Sequence, residues 1–425
     1  MAGLAQGTVS SARSASTGHR RLTTAVALTS LLLVAGSYVI NAMDRQVFPV
    51  LLADIRPDFG FSLAQGGLLA TIFTLGIGLS GVPTGYLLDR LSRKAVMLIG
   101  VLIYSTFTLL TALAVGYGDM FAYRTLSGVR EGIQNAALFS AVGAYFFANR
   151  ALALGSLNFA YGAGGFLGPQ LGARLGDANG WRSPFYVYGG LGFLFVALIA
   201  LFIRKQFTEQ VEGDVLGSGA APFLEHVPVN LYNRNILLLG LCAAAVGVAG
   251  YGYLGLYPTF LQNELGFSKV QAGTAASMFG LGALVGLPAG YLGDKLNQKW
   301  LLIGALLAGC VVGYLIFNGP TSVGAQYLLS FCQGAIASGF LFVNIYSSMQ
   351  RSVRPAFIGR ASGLFVTALY VPASLAGYLF AELVKAQGWG TAGLVQITLG
   401  QLVAVAAMLL VDPRRFSNAS VAPTH

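Results

Sequence analysis

The sequence predicts an all-α integral membrane protein, with twelve transmembrane helices arranged as two six-helix bundles. Three observations carry that expectation. Charged residues make up 9% of the 425 and hydrophobic residues 55%, against roughly 25% charged in a soluble domain. Apolar runs recur along the whole chain, many of them reaching the ~20 residues that a helix needs to cross a bilayer. A motif near residue 85 returns near residue 290, about half the chain later.

Residues 1–21 are rich in Ser, Ala, Gly and Arg and contain no acid. They are expected to form a disordered cytoplasmic tail. The run from Leu22 to Met43 is long enough to span, so it reads as the first helix rather than as a cleaved signal. Further spans are expected near 62–88, 95–117, 119–147, 150–176 and 184–203, closing a first bundle over 22–203. A polar cytoplasmic linker, 204–233, carries Glu209, Glu212, Asp214 and Glu225. Spans near 236–262, 269–292, 300–318, 322–349, 358–384 and 392–411 form a second bundle over 234–411, and 412–425 is a short cytoplasmic tail.

With the N-terminus inside, seventeen Lys and Arg fall in cytoplasmic segments, and only Arg56, Arg174, Arg182, Lys269 and Lys385 fall outside. Positive residues gather in cytoplasmic loops, so both termini are expected inside. The same rule explains the net charge of +10 without nucleic acid. Cys242, Cys310 and Cys332 lie far apart in apolar stretches, and His19, His226 and His425 lie in a tail, a loop and the C-terminus. Neither set has ligand spacing, so no metal site is expected. No phosphate-cradling loop is present, and no nucleophile sits with its base inside a span. Neither ATP-driven transport nor an enzyme is expected.

The halves repeat. Gly81-Val-Pro83-Thr-Gly85-Tyr86-Leu-Leu-Asp89-Arg90-Leu aligns with Gly286-Leu-Pro288-Ala-Gly290-Tyr291-Leu-Gly-Asp294-Lys295-Leu, 205 residues on. Upstream, Gly60-Phe61-Ser62 with Gln65 aligns with Gly266-Phe267-Ser268 with Gln271. Duplicated bundles around a central cavity are a transporter architecture. Gly85-Tyr-Leu-Leu-Asp89-Arg90-Leu-Ser-Arg93-Lys94 resembles the loop motif between helices two and three of the major facilitator superfamily. It departs at Ser92, where that family prefers Gly, which predicts a less tight turn. The resemblance implies that family's twelve-helix fold and alternating access. Asp89, Arg90 and Arg93, with Asp294 and Arg150, are then gating candidates, because a charge-assisted network at a helix end must break as the halves rock.

Five charges fall inside spans: Asp44 and Arg45 at the end of the first, and Arg124, Arg130 and Glu131 on the fourth. Each costs about 2.5–3.5 kcal/mol on insertion scales unless it faces protein or water. They are therefore a functional-site expectation. Arg124 and Glu131 are seven residues apart and share a helix face, with Gly128 between them; Arg130 points about 100° away from Glu131. Tyr38 and Asn41 precede Asp44 by one to two turns.

Asn41-Ala-Met-Asp44-Arg45 with Arg124-x-x-x-Gly128-x-x-Glu131-Gly132 resembles the anion:cation symporter branch, which includes galactonate, hexuronate and sialic-acid carriers; spinster-type carriers are similar at the same places. The resemblance implies that helices one and four line the cavity, that acids matching Asp44 and Glu131 take up protons, and that arginines matching Arg45 and Arg124 hold the anion. Arg130 departs from the small residue usual there. Arg130, Asn41, Tyr38 and Tyr161 complete the expected substrate set of the first half, and Tyr253, Tyr257, Asn344 and Tyr370 offer neutral donors from the second. Burial favours a protonated carboxyl while a neighbouring arginine favours the carboxylate, so a buried pair sits at a balance that a substrate anion can tip. Three arginines against two acids leave +1, which favours an anion.

The expected function is thus proton-coupled uptake of a small organic anion, a carboxylate, by a monomer in a bacterial inner (plasma) membrane, with protons as coupling ion and no cofactor. Gly164-Gly165-Phe-Leu-Gly168-Pro169-Gln-Leu-Gly172 resembles a proton antiporter pattern, which keeps export of an amphipathic or drug-like compound as the alternative, with a spinster-like lysolipid role as its variant.

Overall fold

The computed structural model describes residues 22–146, 150–209, 226–354 and 357–416. Expectations that fall on the N-terminal tail, on most of the linker and on the last residues of the chain lie outside them.

The first bundle contains α1 (Thr24–Phe59), α2 (63–90), α3 (Arg93–Leu113), α4 (Tyr117–Tyr145), α5 (Arg150–Asn179) and α6 (Ser183–Phe202). The second contains α7 (Arg234–Asn263), α8 (269–295), α9 (Gln298–Asn318), α10 (323–351), α11 (358–387) and α12 (389–409). Gly388, at φ 81°, separates the last two. Among the described residues nine stretches are long and apolar enough to cross a membrane, and the last of them, 360–409, holds both α11 and α12. The helices left over are α4, which carries the buried charges, and the glycine-rich α5.

The repeat is visible in the local chemistry. Gly60 and Gly266 end the helices before them at φ 68° and 69°, a region open to glycine at little cost. Two residues on, Ser62 and Ser268 each form a capping box, with the serine hydroxyl accepting from the N3 backbone and Gln65 or Gln271 accepting from the serine N–H, 2.9 Å in both cases. Ser92 is explained the same way. It caps α3 by accepting from Ala95 N at 3.2 Å, with extended rather than left-handed dihedrals, so the turn needs no glycine and is not loosened.

One boundary differs from the sequence reading. α1 does not end at Met43; it continues unbroken to Phe59. At 36 residues it is about 54 Å long, well over the ~30 Å hydrocarbon core. Asp44 and Arg45 therefore lie in its middle, and Arg56 lies in its last turn rather than in a loop. Charged residues stop a span only when they must reach water, and these two find partners inside the protein.

The halves meet through α1, α2 and α5 on one side and α7, α8 and α11 on the other. Their contacts concentrate toward the end where α1 and α7 terminate. Thr71 Oγ1 donates to Ser374 O at 2.8 Å, Gln262 Nε2 donates to Val50 O at 3.1 Å, and Lys269 pairs with Asp54 at 3.1 Å. Backbones touch at Gly67 and Gly377, where neither residue has room for a Cβ. The fifth-helix glycine motif is part of this seam. Gly164 and Gly168 abut the α1 backbone at Val39 and Met43, and Gly165 abuts Gly280 of α8. Close packing accounts for the motif.

Candidate functional site

The five buried charges come together between α1 and α4. Gly128 makes this possible from behind: it lies so close to the carbonyl of Phe73 on α2 that no side chain fits. α4 is thereby pressed against α2 and its charged face turns to α1.

Two adjacent residues of α1 meet two adjacent residues of α4, with charge order reversed. Arg45 Nη1 donates to Glu131 Oε1 at 2.5 Å, and Arg130 Nη2 donates to Asp44 Oδ2 at 3.2 Å. One turn away the same helices are joined by Asn41 Nδ2 donating to Gln134 Oε1 at 2.6 Å. All four charged side chains are 5% exposed or less. Successive residues on a helix point about 100° apart, so the two pairs diverge.

The Arg45–Glu131 pair lies at the interface between the halves. Arg45 Nη2 donates to the hydroxyl of Tyr251 on α7. The guanidinium carbon is ringed by Phe73, Tyr161, Tyr251 and Tyr370, at 5.1, 5.6, 5.6 and 5.8 Å from the ring centroids. Aromatic faces attract a desolvated cation, so this cage holds Arg45 with or without its carboxylate. Tyr38 stands behind Tyr161, ring centroids 5.7 Å apart. The Asp44–Arg130 pair instead points into the first bundle, where Arg130 lies 4.1 Å over the ring of Tyr104 on α3.

Arg124 differs from both in its charge partner, although Arg45 Nε and Arg130 Nε and Nη1 are, like one of its own nitrogens, buried without a hydrogen-bond partner. It forms no ion pair among the described residues. Its Nε reaches Leu69 O at 3.4 Å, its carbon lies 4.4 Å from the Phe48 ring centroid, and its Nη2 is buried without a hydrogen-bond partner. A buried donor left unmade is costly, and the three guanidinium groups share that cost; what is particular to Arg124 is the lack of a carboxylate partner among the described residues.

Two small pockets adjoin along Gln46 and Pro49, between the halves. The first is lined by Arg45, Phe73 and Tyr251, the second by Tyr253, Tyr257 and Phe279, and each has room for about one water molecule. Neither holds a solute larger than water in this conformation.

The second half's expected donors divide. Tyr370 joins the Arg45 cage. Tyr253 and Tyr257 line the second pocket with their rings stacked at 4.6 Å, but their hydroxyls are tied to α10, at Ser330 (2.8 Å) and Gln326 (3.1 Å). Asn344 lies elsewhere, donating to Ala289 O on α8 at 3.2 Å. It braces α10 against α8 rather than facing the charges. Of the gating candidates, the side chains of Asp89, Asp294 and Arg150 lie outside the described residues. Arg90 is exposed, and Arg93 Nη1 donates to Thr208 O at 3.3 Å in the short helix Lys205–Glu209, within its own half.

Sequence reasoning did not single out Phe73, Tyr104, Gln46 and Gln134. Gln134 was discoverable, since it follows Glu131 by three residues on the same face. The aromatic residues were not, because one ring among 12% aromatics carries no signal until its neighbours are known.

Residues 34–377 match the family described as the Major Facilitator Superfamily. The D-galactonate transporter of Escherichia coli O6:H1 is 26% identical over 432 residues, covering 93% of this chain and 96% of that protein. The hexuronate transporter of Bacillus subtilis (strain 168) is 24% identical over 304 residues, covering 70% and 72%. Among solved structures, a bacterial homolog of the human lysosomal transporter Spinster, in an inward-facing and occupied conformation, superposes with a TM-score of 0.70 at 20% identity, over 92% of this chain and 96% of that one. At that identity the structural likeness shows the fold alone.

Proposed function

The chain belongs to the Major Facilitator Superfamily and is a multi-pass membrane transporter, not an enzyme, and from that premise we propose that it takes up a small organic carboxylate together with protons. The observation that carries the reading is Arg45, held by Glu131 from its own half and by Tyr251 from the other.

While Glu131 is ionised, Arg45 is neutralised and has no call on an anion. A proton on Glu131 ends the ion pair and leaves a caged guanidinium at the interface. A carboxylate suits that guanidinium, because the planar fork and the two oxygens match. Arg124, whose charge no carboxylate among the described residues pairs, adds a standing attraction for the same anion. Proton and anion thus favour each other's binding, and the linkage is reciprocal. The two relatives are named for hexuronate and D-galactonate, both carboxylates of sugar-acid size. With both termini inside, the closed end of the bundle is the outer one, and the cargo leaves the site toward the cytoplasm.

The test is uptake into proteoliposomes of a panel of sugar acids, dicarboxylates, aromatic acids and lysophospholipids, with and without an acidic exterior. The reading expects one class of carboxylate to accumulate, and faster with acid outside. Uptake confined to lysophospholipid, or indifferent to the pH gradient, contradicts it.

A further inference from the structure

We propose that the carboxylate this protein carries has a flat, apolar body: an aromatic acid rather than a polyhydroxylated sugar acid, with Arg45 holding the acid group and Tyr253, Tyr257 and Phe279 facing the ring. The proposal rests on the carboxylate reading above and names the class of cargo within it.

The two pockets between the halves divide their chemistry. From the first half α1 supplies Arg45 and Gln46, and from the second α7 and α8 supply Tyr253, Tyr257 and Phe279. Charge thus lies on one wall and aromatic surface on the other. The Tyr253 and Tyr257 rings stack at 4.6 Å and 28°, and Phe279 lies 5.8 Å from Tyr253 at 35°. Rings at such separations and tilts attract one another, and a further ring can join the group.

The polar atoms of this aromatic wall are already engaged. The Tyr253 hydroxyl is bonded to Ser330 at 2.8 Å, and that of Tyr257 donates to Gln326 O at 3.1 Å, both on α10. The Tyr251 hydroxyl accepts from Arg45. Apart from these tyrosines, the second half lines the pockets with Leu254, Pro258, Ala276 and Phe279, and Gln46 is the one amide among the described lining residues. A sugar acid brings several hydroxyls, each of which loses water on entry and needs a partner. An aromatic ring needs none and gains from apolar burial. Tyr253 and Tyr257, which the sequence offers as neutral donors, therefore present ring faces rather than hydroxyls.

The dimensions suit a single ring. Along α7, Tyr253 lies two residues beyond Tyr251 and Tyr257 six, about 3 and 9 Å at ~1.5 Å per residue. With its carboxylate on Arg45, beside Tyr251, a one-ring acid reaches both. In this conformation the walls lie closed on each other, with room for about one water molecule in each pocket; parted, they present the same groups. An aromatic acid touches the first half through charge and the second through its ring. A ligand that gains from both contacts shifts the population toward the state in which the halves close around it.

The test is calorimetric titration of the purified full chain in detergent. Benzoate and 3-phenylpropionate supply the ring; D-galactonate and D-glucuronate supply the same charge with hydroxyls; benzyl alcohol supplies the ring without charge. At least one aromatic acid is expected to bind tenfold or more tighter than either sugar acid, about what an apolar pocket achieves against added hydroxyls. Benzyl alcohol is expected not to bind. Phe279→Ala is expected to weaken the aromatic acid about tenfold, the worth of one ring contact. A sugar acid that binds as tightly as the aromatic acids overturns the proposal and leaves the carboxylate reading standing. Unchanged affinity in Phe279→Ala overturns it as well, as does benzyl alcohol binding as tightly as benzoate. If the variant does not fold, the comparison of ligands on the wild type still decides. Binding of none of the acids overturns the proposal together with the carboxylate reading, which separates the two failures.

Discussion

At the residue scale the protein solves an electrostatic problem by pairing. Five charges, two acids and three arginines, are kept out of water, and two ion pairs leave one guanidinium, Arg124, with no carboxylate paired to it among the described residues. The presence of the charges was legible in the sequence, because a charge inside an apolar span stands out on cost alone. Their pairing was not. The seven-residue spacing placed Arg124 and Glu131 on one face, yet neither of them pairs with the other, and Arg130, one residue off that face, is the group that meets Asp44. Which partner each charge takes depends on α1 and α3, and spacing along α4 does not encode that. If Arg124 seats the anion, Arg124→Lys keeps the charge and loses the planar fork. It is expected to raise KM about tenfold, near 1.4 kcal/mol of binding, in concentration-dependent initial rates of uptake. An unchanged KM removes Arg124 from the binding site.

At the scale of the helix, periodicity and length located the spans within a few residues almost throughout, and the repeat predicted capping chemistry that both halves display. The exception was α1, where a charged pair mimicked a boundary that internal partners remove. Helix contact was legible only as glycine abundance; which glycine bears it needs the fold. Gly128, against the Phe73 carbonyl, is such a position, whereas Gly118, on the same helix, has open space where a Cβ would stand. Gly128→Ala forces α4 and α2 apart and is expected to cost about 1–3 kcal/mol, lowering the apparent Tm in detergent by several degrees. Gly118→Ala is expected to leave it unchanged or slightly raised, since alanine is the better helix former. Equal melting of the two variants contradicts the contact as described.

At the scale of the whole molecule, two bundles close on one another at one end. The closure uses backbone contact at Gly67 and Gly377, the Thr71–Ser374 hydrogen bond, and Lys269 of α8 between Asp54 of α1 and Asp177 of α5, at 3.1 and 4.0 Å. Lys269 and Asp54 are 16% and 34% exposed, so their pair is worth about 1 kcal/mol at most. Lys269→Ala is accordingly expected to shift the open-to-closed ratio at this end by about fivefold or less. Spin labels at Ala178 and Asn263, in a chain whose native cysteines are replaced, report it as a longer-distance fraction that grows in the variant. No change shows that the glycine contacts and the hydrogen bonds beside them hold the end shut without Lys269.

Coupling joins these scales, since a proton on one residue must decide which way two bundles rock. The direct measurement compares Glu131→Gln with wild type in proteoliposomes, using the carboxylate that the uptake panel identifies. The variant mimics a permanently protonated acid. It is expected to lose accumulation driven by an acidic exterior while still exchanging labelled for unlabelled carboxylate across the membrane. Full pH-driven accumulation by Glu131→Gln would contradict the assignment of proton coupling to the Arg45–Glu131 pair.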